Sequence, residues 1–285
     1  MRLHGFDPQD AIIEVQPRDG DSHVIEDEDI VRTIAQRGAE TAMVMFAGVQ
    51  YLTGQVFDMK AIAEAGAAAG CVVGFDLAHG VGNVPLQLHA WGVDFAVWCT
   101  YKYLNAGPGA VAGLFVHAKH HDAIARRAYP MLAGWWGVRA EERFAMGHEF
   151  HGSRGARAFE QSCPGVLGYS GLRASLALLQ GTELGALHRA SWELCGQFRR
   201  VVGQLGLGGL RIVTPGALER SGAQLSLALK DRAEALAVFS RLHALGVRSD
   251  RREPNIIRVA FTALYNDPED VFLTALALKR SMTGE

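Results

Sequence analysis

The sequence lacks several features that would place it in large classes of protein. Its four cysteines, Cys71, Cys99, Cys163 and Cys195, are scattered through 285 residues without a CxxC pair. Zinc sites and redox dithiols built on that spacing are therefore excluded, and reduced thiols in the cytoplasm are the plain reading. No apolar run is long enough to span a bilayer, so no membrane partner is expected. The opening MRLHGFDPQD has no apolar core followed by a small-residue cleavage site, and no secretory leader is expected. An excess of either charge is also missing. With a net charge of −2 and a pI near 6.6 there is no overall positive field to attract nucleic acid. The basic pairs Arg126–Arg127 and Arg199–Arg200 read as solvated helix faces. Neither an internal repeat nor a low-complexity linker is visible.

What remains is ordinary for a globular enzyme: 49% apolar and 20% charged residues. Apolar spacing predicts a short strand over 11–16, a helix over 27–39, a strand over 41–46 and a helix over 59–69 that stops at Gly70. The stretch 73–109 reads as two strands, 71–75 and 93–99, with a helix between them, followed by a strand over 111–116. This alternation predicts a mainly parallel α/β sheet. The first residues already feed the middle of such a sheet, so an upstream portion of the fold is expected. From 118 to 163 the pattern weakens, and 147–157 reads as loop. Helical periodicity returns over 166–206, broken near Gly181 and Gly185. Strands over 211–214 and 224–229, a helix over 233–245, short strands over 247–249 and 256–260 and a helix over 268–282 then predict a small α+β domain. The expected division is a partial large domain, 1–165, and a linking helix with a small C-terminal domain, 166–285.

Functional groups in an open parallel sheet gather beyond the carboxyl ends of its strands. Asp76 and Lys102 each follow such a strand and so share one rim. An acid and a lysine placed this way suit pyridoxal phosphate. The lysine amine takes the aldehyde, and the carboxylate keeps the ring nitrogen protonated. Alone, Lys102 reads as a surface lysine and Asp76 equally well as a helix cap; the pairing favours the cofactor. His79 is placed to pack on a ring or to bond backbone at a helix start. Gly80, Gly82, Gly107 and Gly109 permit close backbone approach, yet Gly107-x-Gly109 is a weak dinucleotide fingerprint. Arg258, on an otherwise apolar strand face, needs an anion: a substrate carboxylate or an internal carboxylate both serve. His117, His120 and His121 lack a metal-binding acid pattern and read as surface, so no metal is expected.

GFDLAHGVGN, LHAWGVDFAVWCTYKYLNAGPG, AGWWG and IIRVAFTALYN together resemble kynureninase, a pyridoxal-phosphate enzyme of fold type I. The resemblance runs from about Leu3 to the C-terminus. It implies an α/β, fold type I architecture and pyridoxal 5'-phosphate as cofactor. It also implies hydrolysis of kynurenine, or its 3-hydroxy form, to the anthranilate and alanine, within tryptophan catabolism. By the same resemblance Lys102 matches the Schiff-base lysine and Asp76 the partner of the ring nitrogen. His79 and Tyr101 match cofactor contacts, with Tyr101 also a catalytic acid. Trp135 matches a tryptophan that reaches the cofactor phosphate across a homodimer interface. Arg258 matches the arginine that binds the substrate α-carboxylate. Cys163 stands where the family has asparagine before proline, at the boundary of cofactor and substrate. Ala47 replaces a serine, Val138 replaces a histidine, and the stretch 125–130 is longer than usual. Much of the family's phosphate-binding apparatus belongs to an N-terminal portion beyond this sequence. A related fold type I lyase or aminotransferase shares Asp76 and Lys102. A homologue that no longer catalyses, surviving as a dimerising or cofactor-binding protein, is the reading from another class.

Overall fold

The computed structural model describes residues 1–20 and 23–284. After one short turn, α1 (Pro8–Ala11), the chain forms α2 (Asp27–Arg37), β1 (Met43–Ala47), α3 (Met59–Ala68), β2 (Val72–Asp76), β3 (Phe95–Trp98) and β4 (Gly113–Val116). These strands make one sheet in the order β1-β2-β3-β4. The first three run parallel, and β4 returns antiparallel to β3 at the edge. The mainly parallel α/β sheet is as the sequence predicts. Ile30 and Ile34 of α2 and Ile62 of α3 are buried with Val44, Val73, Phe75 and Ala96 on one sheet face. Asp58 starts α3 by accepting the Ala61 amide at 2.9 Å, and Gly70 ends that segment with φ +78°. On the opposite face Met43, Met45, Val72 and Val97 stay 36–50% exposed.

Two expected elements do not form. Residues 11–16 make no strand; Ile12 and Ile13 are largely exposed, and no neighbouring strand among the described residues takes up their backbone groups. The helix expected between β2 and β3 is a run of turns. Gly82 and Gly92 adopt φ of +81° and +69°, which a helix forbids, and Pro85 removes a backbone donor.

Beyond β4 come α4 (His121–Ala125), a long irregular stretch, and the helices α5 (Val166–Leu179) and α6 (Leu184–Leu205), interrupted near Gly181 as predicted. The remainder is β5 (Arg211–Ile212), β6 (Gln224–Ala228), α7 (Arg232–Ala244), β7 (Asp250–Arg252), β8 (Ile256–Ala260) and α8 (Pro268–Thr283). Its sheet is antiparallel in the order β5-β6-β8-β7. β7 lies three residues beyond the expected strand over 247–249. Leu225, Leu227, Ile257 and Val259 turn one face of this sheet onto α6 and α8, where Phe198 and Leu278 complete the core.

The other face meets the loop after β1. Gln224 donates to the Tyr51 carbonyl at 2.9 Å and Ser226 to that of Leu52 at 2.6 Å. The Val56 amide donates to the Arg220 carbonyl at 3.0 Å. Because β6 is buried on both faces, these polar side chains need such partners, and the loop supplies them. The two sheets are thereby joined through residues 50–56.

Asp94, just before β3, ties the first sheet to the segment after β4. Its carboxylate accepts the Val73 amide at 2.6 Å and faces Lys119 at 2.7 Å and His120 at 2.6 Å. His117 stacks on His89 with ring centres 4.4 Å apart, so these histidines are engaged structurally. Burial works to raise the Asp94 carboxyl, but the hydrogen bonds from Lys119, Val73 and His120 outweigh it and hold it below the ordinary value. A depressed carboxyl contributes stability above its unfolded-state value, and that stability is lost as pH falls through the folded one. Asp94→Asn is therefore expected to cost about 1–3 kcal/mol at neutral pH. The deficit should begin to shrink as pH falls below about 4, where the carboxylate of the unfolded chain protonates, and vanish only below the depressed folded value. Urea melts of both proteins at pH 7 and pH 3 check this; an equal deficit at both would sink it.

Candidate active site

Tyr101 and Lys102 lie in the loop that leaves β3. The loop is shaped locally: the Asn105 amide donates to the Lys102 carbonyl at 2.9 Å and the Ala106 amide to that of Thr100 at 3.0 Å. Thr100 is buried and its hydroxyl donates to the Val111 carbonyl. α5 presses a glycine against this loop, since a Cβ at Gly171 would lie 2.4 Å from the Ala106 carbonyl oxygen. From the other side Gly82, with φ +81°, comes so close that a Cβ would meet the Tyr103 carbonyl oxygen at 3.0 Å. A side chain here would suffer both the strained backbone and the contact.

His79, Tyr101 and Lys102 from this side face Asp250, Arg258 and Tyr265 of the second sheet region across an open cleft of about 1090 Å³. Lys102 Nζ lies 5.9 Å from the centre of the Tyr101 ring. Cys99 beside it works to raise the Tyr101 phenol above its ordinary value. His79 is the point where the charges of the site meet. Burial, then the positive charges of Lys102 and Arg258, lower it to about 4 against the opposing effect of Asp76 and Asp250. Its ring is thus neutral at pH 7. His79 Nδ1 is buried and has no hydrogen-bond partner among the described residues.

Asp76 ends β2 opposite Ala47 on β1 and Val97 on β3. One carboxylate oxygen accepts the Ala78 amide at 2.8 Å, a turn contact rather than a helix cap. The other accepts none among the described residues. Asp76 is exposed at the strand end and does not line the cleft, although its charge reaches His79.

Arg258 is engaged by protein. Its Nε donates to Asp250 Oδ1 at 2.6 Å, its Nη2 pairs with Asp250 Oδ2, and its Nη1 donates to the Tyr51 carbonyl. Burial works to raise Asp250, and the Arg258 hydrogen bond and charge override it, leaving the carboxyl below its ordinary value. Of the two anions considered for Arg258, the internal carboxylate is present. Sequence reasoning missed Asp250, whose signal was an acid placed to face the arginine across a β-hairpin. In the register of β7 and β8 the two are directly opposed.

Trp135 and Cys163 lie outside the cleft lining. Trp135 is 51% exposed, its indole donating to the Arg143 carbonyl at 3.2 Å and its ring packed on Trp136 and Phe144. Cys163 is exposed next to Pro164. Val138 follows the Trp135 turn and bridges to Gly152.

Comparison with known proteins bears on this arrangement. The family model described as the kynureninase C-terminal domain matches residues 187–278. The kynureninase of Yarrowia lipolytica is 44% identical over 297 residues, covering 99% of this chain and 67% of that protein. The chain belongs to the kynureninase family. The kynureninase of Myxococcus xanthus is 45% identical, covering 95% of this chain and 62% of that protein. The chain thus spans a little under two thirds to two thirds of the length of the curated kynureninases it matches. Among solved structures, a C-DES mutant with glycine covalently linked to its PLP cofactor superposes with a TM-score of 0.74 at 21% identity, covering 87% of this chain and 63% of that one. At that identity the likeness speaks to the fold alone, which is the α/β, fold type I architecture expected from the sequence.

Proposed function

We propose that this chain carries the lysine side and the carboxylate-binding side of a kynureninase active site. It would hydrolyse L-kynurenine or 3-hydroxykynurenine to anthranilate or 3-hydroxyanthranilate and L-alanine with pyridoxal 5'-phosphate. The observation that carries the reading is that His79, Lys102 and Arg258 line one cleft, with Asp76 ending the strand three residues before His79, in a member of this family. The residues present fit the cofactor. His79 has a buried ring nitrogen lacking a partner, Asp76 has a carboxylate oxygen to spare, and Lys102 opens onto the cleft.

Pyridoxal phosphate, when bound, supplies a protonated ring that accepts the electron pair released at the substrate. Asp76 would hold the proton on the ring nitrogen. Lys102 Nζ would bind the aldehyde carbon and then carry the proton lost from the substrate Cα. Tyr101 Oη, protonated at neutral pH like any phenol, would serve as a proton donor beside it. His79, neutral and half-buried, would lie against the ring without adding charge. Arg258 would take the substrate α-carboxylate. Trp135, exposed and away from the cleft, is consistent with service to a second copy in a homodimer, and Cys163 with a place at the same shared boundary. The reading includes the division into 1–165 and 166–285, each with its own apolar cluster. It also places the protein in the cytoplasm, in tryptophan catabolism and NAD biosynthesis.

The test is a product assay. Chain incubated with pyridoxal phosphate and L-kynurenine should release anthranilate, read by fluorescence, with one alanine per anthranilate and no keto acid. Keto-acid formation would indicate an aminotransferase. A visible absorbance band without any product would indicate a cofactor-binding homologue that no longer catalyses.

A further inference from the structure

Arg258 enters the cleft already bonded on two sides, and the pattern of those bonds bears on its use. A guanidinium has five N–H donors in one plane. Asp250 engages Nε and Nη2, and the Tyr51 carbonyl engages Nη1. One N–H on Nη1 and one on Nη2 have no partner among the described residues and are the donors left for an incoming carboxylate. Three separate segments set the plane: β8 carries the arginine, β7 the aspartate, and the loop after β1 the carbonyl. The Tyr51 carbonyl is itself fixed by Gln224 at 2.9 Å. The Arg258 side chain is only 10% exposed, against 44% for Asp250. Strand register makes the contact reproducible, since both Ser226 and Asp250 stand opposite Arg258.

We propose that Asp250 is a positioning residue for Arg258: it locks the guanidinium side-on and so presents the two remaining N–H groups to the carboxylate of an amino-acid substrate. This rests on the proposed function for the identity of the substrate. Asp250 touches no reacting atom. It acts by orientation, so its loss should weaken recognition of the carboxylate rather than the bond-breaking step.

Two measurements decide it. In the chain loaded with pyridoxal phosphate, Asp250→Ala should raise KM for L-kynurenine about 10–100-fold with kcat nearly unchanged. KM for the decarboxylated amine, which has no carboxylate to bind, should change little in the same variant. A merely structural defect would move both substrates together, and that result overturns the proposal. So does a lower KM for L-kynurenine, which would make Asp250 a competitor that the substrate displaces. The second measurement needs no turnover. The Arg258 Nε–H signal in a ¹⁵N spectrum, assigned with Arg258→Lys, should be protected from exchange and should shift on titration with L-alanine. Asp250→Ala should abolish both effects, and an equal shift in the variant counts against the proposal. If the parent releases no anthranilate yet shows the Arg258 effects, the proposed function has failed and the positioning role stands.

Discussion

Lys102→Ala should leave a folded chain that no longer forms a covalent link to pyridoxal phosphate. The parent is expected to develop a visible absorbance band that borohydride fixes to a peptide containing Lys102; the variant should show neither the band nor the mass increase. Anthranilate release should fall by at least about 10³-fold, because one amine is asked both to bind the cofactor and to move the substrate proton. Folding should be spared. The Lys102 side chain contributes one loose contact to the Tyr101 ring at 5.9 Å, while the loop is held by main-chain bonds and by Thr100. Equal thermal melts of the two proteins, measured alongside the spectra, separate lost chemistry from lost fold. A variant that kept the absorbance band would show that another amine binds the cofactor.

Phe198→Ala should have the largest effect on stability. Phe198 is fully buried in α6, its ring centre 5.1 Å from that of Phe261, among Leu225, Ile257 and Leu278. Truncation removes the buried ring and leaves a cavity that surrounding strands and helices can fill only in part, at a cost of about 3–5 kcal/mol. That is a large share of the ~5–15 kcal/mol by which domains are stable. Phe198→Leu should cost much less, because most of the volume is kept. Urea midpoints with unchanged slopes are the readout; equal losses for Ala and Leu would show that the ring does not fill the core as described. The effect also bears on the site. Ile257 and Val259 point into this core while Arg258, between them on β8, points the other way. Loosening the core should therefore loosen the arginine.

Much of the frame was legible in the sequence. The strands at 43–47, 72–76 and 95–98 are continuous apolar runs with β-branched and aromatic residues, and the helices at 27–37, 59–68 and 268–283 carry apolar faces with acidic caps. The failures had local causes. AIIEVQ has strand composition but no partner among the described residues, and strand formation depends on pairing as much as on propensity. A helix is expected across GVGNVPL, yet Gly82 takes a φ of +81° that a helix does not allow and Pro85 lacks a backbone donor.

By itself the sequence determined the family, the α/β class, and the placement of Asp76 and Lys102 beyond neighbouring strands. Each of these depends on local pattern or on a short contiguous motif. Only the tertiary structure decided that Arg258 pairs with Asp250, that the Tyr51 carbonyl shares it, and that half-buried His79 sits among four charges with its buried Nδ1 unpartnered among the described residues. Those facts arise from strand register and from the docking of one sheet's loop on another sheet. Tyr51 and Arg258 are 207 residues apart, so no local spacing encodes their meeting; Asp250 and Arg258 are neighbours in the chain, but only the strand register sets them opposite each other.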